Sequence, residues 1–556
     1  MSSRQLAHPP HKNGMELYAG RWVAMVREQV VGQGGTPEQA LLAAQASRSK
    51  EIPQVVYVPT TIPLEFPPIL DKVAAALPAD IPVYLVGGAV RDALLRRKIH
   101  DLDFILPGNA VKISRQIANR LGAAFFPMDE EYDTGRVILI SDDSSRFILD
   151  FTAQRGDTLE SDLRARDFTF NAMVVDARQP QAIIDPLGGA ADLLAKQIRP
   201  CSPMAFQDDP IRVVRAIRQA AVFGFHIPTE TRALMRTAAH LLPGISPERM
   251  RDEVFRLLDG PRVVASIRAL DMLGALSYIF PEMETLKGVE QSPPHFDDVW
   301  NHTLNVVQKL EIVLAALAAD YDQEKTANLA LGTMVLQLGR YREKLGEHLN
   351  EQLNADRPLR PLLFLAALYH DVGKPETHAT NHEGKHHFYG HDEVGAQIVE
   401  KRAVSMRLSN LEIERVRKIV RGHLRPLLLE QDGNFPTRRA VYRFFREAGM
   451  AGVDVCILSL ADTLGTGGEI FSQDRWSHHL EVIRSLLDAW WEHPRERVKP
   501  TVLVNGHDLM KELELSPGPE VGKLLEAIRE AQAVGQIGTR EEAFVLARKL
   551  LPNSGQ

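Results

Sequence analysis

The chain has 556 residues, 44% hydrophobic and 25% charged, with a net charge of −7. That length exceeds what one core supports, so about three to five domains are expected, and the acidic balance excludes a bulk polycation, leaving nucleic-acid contact to local basic patches. Two cysteines, Cys201 and Cys456, exclude a disulfide framework or a multi-cysteine zinc site and suit a reducing compartment.

No apolar signal core opens the chain and no apolar run reaches the ~20 residues of a membrane span, so a cytoplasmic protein without membrane contact is expected. Residues 1–15 read as disordered. Trp22–Val26 and Gln29–Val31 predict a hairpin. TPEQALLAAQ then opens a helix, with Thr36 as N-cap, Pro37 at the first helical position and Gln39 completing a capping box. QVVYVP predicts a strand, making residues 1–60 a small α/β module, and PTTIPLEFPP (59–68) is its proline-rich linker. From 69 to about 200 the strand candidates VYLVGG, DLDFIL, RVILI, RFILDF and MVVDA alternate with helical patterns. Beyond 200 the periodicity is helical almost throughout, with Pro and Gly breaks near 243, 261, 281, 293 and 435.

In DLDFIL, Asp101 and Asp103 are two residues apart and so share one strand face. Unpaired, two such carboxylates repel. A divalent cation removes the conflict, and Mg²⁺ is typically held by one or two carboxylates together with substrate phosphates. Gly87 and Gly88 lie between the strand VYLV and the helix AVRDALLRR, and backbone N–H groups at such a turn bind phosphate. Arg91 is one turn into that helix. Asp150, on RFILDF, supplies a third carboxylate, and Arg155 follows within reach of a phosphate. Together these residues favour metal-dependent nucleotidyl transfer.

In this order the segments resemble the class II tRNA nucleotidyltransferases and poly(A) polymerases of the polymerase-beta-like nucleotidyltransferase superfamily, over nearly all of residues 69–550. LVGGAVRDALL and DLDF match the first motif. DLRARDFTFNAM (162–173) matches the second, which implies nucleotide-binding roles for Arg166, Asp167 and Asn171. Ala165 departs from it, since many members have a second Arg there. IIDPLGGAADLLAKQIR (183–199) matches the third motif and DDPIRVVRAIR (208–218) the fourth. On a helix, Asp209 and Arg212 would stand at i and i+3 on one face, where a fork of donors and an acceptor can pair with a base edge. The resemblance implies that this pair selects CTP and ATP in place of a nucleic-acid template. Arg215 and Arg218 continue the basic face, and residues 246–253 (SPERMRDE) resemble the fifth motif.

Downstream, His302, His370, Asp371, His391, His423 and Asp462 follow in the order H…HD…H…H…D, which resembles the HD phosphohydrolase superfamily. Imidazole and carboxylate suit a divalent transition metal of unspecified identity, and Lys374 stands by to neutralise phosphate. The resemblances together imply an α+β fold. A nucleotidyltransferase head with a mixed sheet (69–200) precedes an all-α neck (201–285), an HD domain (286–465) and a helical tail (466–556). They imply an enzyme that adds CCA to tRNA 3′ ends from CTP and ATP with Mg²⁺ at the head, and a phosphohydrolase at the HD site. A poly(A) polymerase, a partial enzyme adding only CC or only A, and an HD phosphohydrolase with a non-catalytic RNA-binding head stand as alternatives. The oligomeric state is not legible.

Overall fold

The computed structural model describes residues 18, 20–26, 29–45, 53–58, 64–129, 133–140, 145–321, 328–354, 357–429, 435–466 and 472–551. The segment read as disordered, 1–15, and the first half of the linker lie outside the described residues. The chain forms two compact units, 1–242 and 243–556.

The first unit begins with the expected small module. β1 (Arg21–Val26) lies between β2 (Gln29–Gly34) and β3 (Gln54–Val58), antiparallel to both, and α1 (Pro37–Gln45) crosses one face. Alternation explains the layering: Val23, Met25, Val56 and Val58 pack on one side, while Ala24 meets Ala40 and Ala44 of α1 on the other. The helix approaches so closely that a Cβ on Gly32 would stand 2.4 Å from the Ala44 amide nitrogen. Thr36 caps α1 through the Gln39 N–H, as expected, but the Gln39 side chain accepts from the Gly35 N–H, one residue outside the cap.

α2 (Ile69–Ala76) leads into a seven-stranded mixed sheet. Its strands are β4 (Tyr84–Val86), β5 (Asp101–Leu106), β6 (Ala124–Asp129), β7 (Thr134–Ile140), β8 (Arg146–Ala153), β9 (Val174–Asp176) and β10 (Gln179–Ile184), in the order β10-β9-β4-β5-β8-β7-β6. Only β5 and β8 pair in parallel. All five expected strands are present. The two that were not expected, β6 and β10, are the edges. Each carries a proline (Pro127, Pro180), which weakens a strand signal but is tolerated where one side needs no ladder. α3 (Gly88–Leu94) and α4 (Ala110–Leu121) follow β4 and β5. Leu102, Phe104, Leu149 and Phe151 are buried, and the rings of Phe104 and Phe151 stack with centroids 4.7 Å apart. α5 (Leu159–Arg164), α6 (Gly189–Leu194), α7 (Ala205–Asp208), α8 (Arg212–Phe223) and α9 (Thr229–Ala238) complete the unit.

The second unit is helical, with two short hairpins among its described residues. Its centre is the helix Leu359–Tyr369, in which every residue but Arg360 is buried. Val299–Ala316, His391–Ser405, Asn410–Gly422 and Ala451–Thr466 surround it. The tail helices Gly506–Glu512, Pro519–Ala533 and Arg540–Leu550 share their own core of Leu509, Val521, Leu524, Ile528 and Ala543. Among the described residues no single helix is long and apolar enough to cross a membrane.

Candidate functional site

The strand register builds the first site. Across the parallel β5–β8 pair, Asp103 stands directly opposite Asp150, with Asp101 two residues earlier on the same face. Across β7–β8, Arg136 stands opposite Asp150 and donates from Nε and Nη2 to its two oxygens, each at 2.8 Å. This bidentate pair neutralises Asp150 and leaves Asp101 and Asp103, both exposed, as the open carboxylates. Although Asp103 keeps solvent contact, the surrounding protein desolvates it. That burial, with the charges of Asp150 and Asp101 beside it, pushes its carboxyl up to about 6 against the pull of Arg166 and Arg136. The repulsion anticipated from the sequence is thus present, and a cation placed there would relieve it. Asp101 and Asp103 offer hard oxygen donors that suit Mg²⁺.

Gly87 follows the end of β4, where Val86 pairs with Asp103, and has φ +76°, a backbone conformation that favours glycine. A Cβ there would stand 3.6 Å from Asp103 Oδ2 and 4.0 Å from Arg166 Nη1. Gly88 follows as the first residue of α3. Arg91 is committed to protein partners. Nε and Nη2 donate to Asp92 at 2.9 and 2.8 Å, and Nη1 donates to Asn171 Oδ1 at 2.7 Å. Asn171 donates in turn to Asp167 and Gln219 at 3.1 and 3.2 Å, and Arg215 reaches Asp167 at 3.3 Å. Arg166 donates to Asp162 at 3.0 Å, and the same carboxylate accepts the Arg155 backbone N–H at 3.0 Å. The second-motif residues therefore fall into two networks, one through Asn171 and Asp167 and one through Asp162.

Asp209 and Arg212 do not share a helix. Asp209 closes α7 with extended backbone (φ −145°, ψ 92°), and Arg212 is the first residue of α8. The cause is Pro210, which disfavours helical backbone at the residue before it. The two side chains still approach, with Arg212 Nε 3.8 Å from Asp209 Oδ2. Arg212 is buried and donates to the Ala205 and Ala165 carbonyls at 3.1 and 2.7 Å, while its Nε has no hydrogen-bond partner. Arg218 lies further along α8.

The second site gathers its six residues from five places on the helices. His302 sits near the start of Val299–Ala316. His370 and Asp371 follow the end of Leu359–Tyr369, His391 starts His391–Ser405, His423 follows Asn410–Gly422, and Asp462 lies on Ala451–Thr466. The Nδ1 atoms of His370, His391 and His423 each meet the backbone carbonyl three residues earlier, Ala367, Phe388 and Val420, at 2.8, 2.7 and 2.6 Å. This fixes each ring with Nε2 aimed inward. Two three-ligand groups result, His302–His370–Asp371 and Asp371–His391–His423. Asp371 Oδ2 lies 3.4 and 3.2 Å from the first pair of histidines, and Oδ1 lies 3.3 and 3.7 Å from the second. Asp462 Oδ1 stands 3.2 Å from His302. Asp371 is therefore shared, one oxygen to each group, an arrangement made for two cations. Among the described residues these are the groups that bring three ligand atoms this close; the head carboxylates do not.

Burial alone would raise the Asp371 carboxyl, but His370 and Lys374, whose Nζ lies 2.6 Å away, outweigh it and hold it well below the usual range. Burial lowers His423 to about 4, so it is neutral and free to ligate at pH 7. His295 was not anticipated. Its ring meets that of His302 edge-on at 4.7 Å, burial and Lys374 lower it to about 4, and its Nδ1 has no partner. Arg136, Asp162 and Gln219 were also missed, since cross-strand register and tertiary packing alone bring them in. A cleft of about 470 Å³ leads to the site, lined by Asp371, Lys374, His391 and Asp462.

Comparison with known proteins places the chain in a family. Residues 83–199 match the model of the poly A polymerase head domain, and 224–287 that of a probable RNA- and SrmB-binding site of polymerase A. Residues 335–467 match the HD domain, which leaves His302 upstream of the match, and 497–547 match tRNA nucleotidyltransferase domain 2. Residues 15–61 match a family of unknown function. The chain is 32% identical over 472 residues to the A-adding tRNA nucleotidyltransferase of Deinococcus radiodurans, covering 84% of this chain and 94% of that one. It is 32% identical over 476 residues to the CC-adding tRNA nucleotidyltransferase of Thermus thermophilus, with the same coverages. A multifunctional CCA protein of Pseudomonas aeruginosa is 39% identical over 242 residues, 41% of this chain and 58% of that protein. In fold, the chain resembles a CCA-adding enzyme solved with CTP (TM-score 0.56, 21% identity, 88% and 97% of the two chains). It also resembles the Thermotoga maritima CCA-adding enzyme solved with tRNA (TM-score 0.53, 20% identity, 87% and 96%).

Proposed function

Because the chain belongs to the tRNA nucleotidyltransferase and poly(A) polymerase family, we propose that it completes tRNA 3′ ends with CCA, taking CTP and ATP in turn. It is a nucleotidyltransferase. The observation that carries the reading is the pairing of Asp103 with its raised carboxyl beside Asp101, next to the glycine turn at 87–88. Divalent cations bound there, Mg²⁺ in this proposal, supply charge neutralisation for the attacking and leaving oxygens. Asp101 and Asp103 would hold the cations, and Asp150 would assist beside them. Gly87 and Gly88 leave room for the triphosphate, and Arg155 and Arg166 meet its charge. The 3′-hydroxyl of the RNA loses its proton to solvent as its oxygen bonds to the α-phosphorus, the bond to the bridging oxygen of the β-phosphate breaks, and pyrophosphate leaves with that electron pair. Arg91 and Asp167 act through Asn171, orienting the wall of the site. Asp209 and Arg212 read the incoming base, with Arg215 and Arg218 along the RNA path.

A second reading is favoured by one observation. The relatives matched over 94% of their length carry A-adding and CC-adding names, whereas the multifunctional CCA protein matches over 58%. A partial enzyme, adding CC or A only, is the alternative. Incubating the protein with tRNA lacking CCA, and with CTP and ATP singly and together, decides between them by the 3′-terminal sequence of the product. Full CCA supports the first reading. Extension that stops after CC, or that requires a tRNA already ending in CC, supports the second.

The helical unit acts in this proposal as a metal-dependent phosphohydrolase on RNA-end phosphates. His302, His370, His391, His423, Asp371 and Asp462 would hold two divalent transition-metal cations, and Lys374 would neutralise the phosphate. On a 2′,3′-cyclic phosphate, a water oxygen would bond to phosphorus as one P–O bond to the ribose breaks, and the freed ribose oxygen takes a proton. The domain limits 69–200, 201–285, 286–465 and 466–556 belong to this same reading, as does a cytoplasmic location.

A further inference from the structure

The segment between the two metal-ligand groups carries an unusual run of planar side chains. A short hairpin pairs Ala379–Thr380 with His386–His387. On it the rings of His386, His378 and Phe388 stack in succession, with centroids 5.0 and 5.3 Å apart. His378 Nε2 and His386 Nδ1 are 2.8 Å apart, and the His386 backbone N–H donates to Ser292 Oγ at 2.7 Å. The Phe388 carbonyl is the group that fixes the ligand His391. The hairpin is thus rigid and tied directly to the metal site.

At its end stands Tyr389. Its ring leans on that of His387 at 4.9 Å, but 84% of the residue remains exposed. It lines the same 470 Å³ cleft as Asp371, His391 and Asp462, together with Lys385 and Arg475. A cleft of this size holds a ligand as large as a nucleotide. Cations and metal ligands at its floor suit a phosphate, while an open aromatic ring at its rim suits a flat, apolar face. Nucleobases present such a face on every residue of an RNA end, and they stack on aromatic side chains with little sequence preference.

We propose that Tyr389 is a base-stacking platform for the helical site, so that its substrate is a phosphate carried on a nucleoside. This deepens the phosphohydrolase reading and rests on it. Tyr389 holds the terminal base, Lys385 and Arg475 flank the backbone, and the phosphate reaches the shared carboxylate of Asp371. Because every base offers a stacking face, the site accepts any terminal nucleoside and binds phosphoesters that lack one more weakly.

The test uses the full chain loaded with Mn²⁺, Co²⁺ or Ni²⁺ in turn. Hydrolysis is measured on adenosine 2′,3′-cyclic phosphate and on methyl β-riboside 2′,3′-cyclic phosphate, which has no base. Tyr389→Ala should raise KM for the nucleotide by about 5- to 150-fold, a stacking loss of about 1–3 kcal/mol at ~1.4 kcal/mol per tenfold. It should leave kcat and all constants for the base-free substrate near wild type, and Tyr389→Phe should restore the nucleotide KM. An unchanged KM, or an equal rise for both substrates, overturns the proposal. Photolabelling with 8-azidoadenosine 2′,3′-cyclic phosphate reads the platform without turnover. If the wild type hydrolyses nothing but labels the 385–391 peptide, and Tyr389→Ala abolishes that label, the hydrolase reading falls and the platform stands. If that peptide is not labelled, the platform falls whatever the hydrolysis shows.

Discussion

Replacing Asp103 by Asn separates the cost of the first site from its benefit. In the metal-free protein the Asp103 carboxyl titrates at about 6 instead of 3.8, so the folded state binds its proton more tightly than the unfolded chain does. Stability linked to this group is greatest below pH ~4 and declines as pH rises through about 6. Two pKa units would correspond to ~3 kcal/mol, but Asp103 is exposed, and solvent screening reduces the expected figure to ~1 kcal/mol. Asp103→Asn keeps the shape and removes the charge. In EDTA at pH 8 it should therefore raise Tm by about 2–4 °C, the shift expected for ~1 kcal/mol in a unit of this size. At pH 5, between the unfolded and folded values, about half of the gain should remain, and it should vanish only below pH ~4. Mg²⁺ should raise the wild-type Tm and leave the variant unmoved, and the variant should incorporate neither CMP nor AMP. Thermal unfolding at the two pH values, with and without Mg²⁺, reads all of this in one protein. A loss of stability at pH 8, or a gain at pH 5 as large as that at pH 8, would refute the electrostatic reasoning, and retained incorporation would refute the role assigned to Asp103.

Asp209→Ala should change the relative use of CTP, ATP, UTP and GTP more than it changes tRNA affinity, because it removes the acceptor that the proposed reader offers to the base beside Arg212; competition between the four nucleotides measures this, and unchanged preference with weaker tRNA binding counts against it. Arg136→Gln should lower the Tm of the metal-free protein, since it leaves Asp150 unpaired beside Asp103, and should tighten apparent Mg²⁺ binding a few-fold by freeing that carboxylate. A Mg²⁺ titration of nucleotide incorporation checks the second half. His370→Ala together with Asp371→Ala should abolish hydrolysis of 2′,3′-cyclic phosphates and strip the helical unit of metal while sparing nucleotide addition. Paired assays with metal analysis decide, and persistent hydrolysis would remove the site from the reaction.

What was legible in the sequence followed local rules. Period two placed Asp101 and Asp103 on one face, and the apolar residues between them fixed β5 as a strand. The end of an apolar helix located His370 and Asp371. What was not legible depends on register or packing between distant segments. Arg136 and Asp150 are 14 residues apart and meet only because β7 and β8 pair in one particular register. Pro210 carried the signal that Asp209 leaves the helix, and helical spacing was read through it. The order of the HD residues pointed to the candidate ligands but not to Asp371 facing both groups, since that follows from how five chain segments converge. The edge strands β6 and β10 escaped because their prolines are permitted only at edges.

The span of that convergence has a mechanical consequence. His302 and Asp462 lie 160 positions apart (462 − 302) and meet at 3.2 Å. Bound cations at this point would cross-link the chain as a reversible staple closing a very long loop. In the chain-entropy account such a closure withholds about 5 kcal/mol of freedom from the unfolded chain, as a disulfide of the same reach would. The helical unit could therefore be locked without any cysteine pair, and the lock would open on chelation. A protease cut in a surface loop between the two ends would go unnoticed while the ions stay, and the pieces would part when the ions are withdrawn.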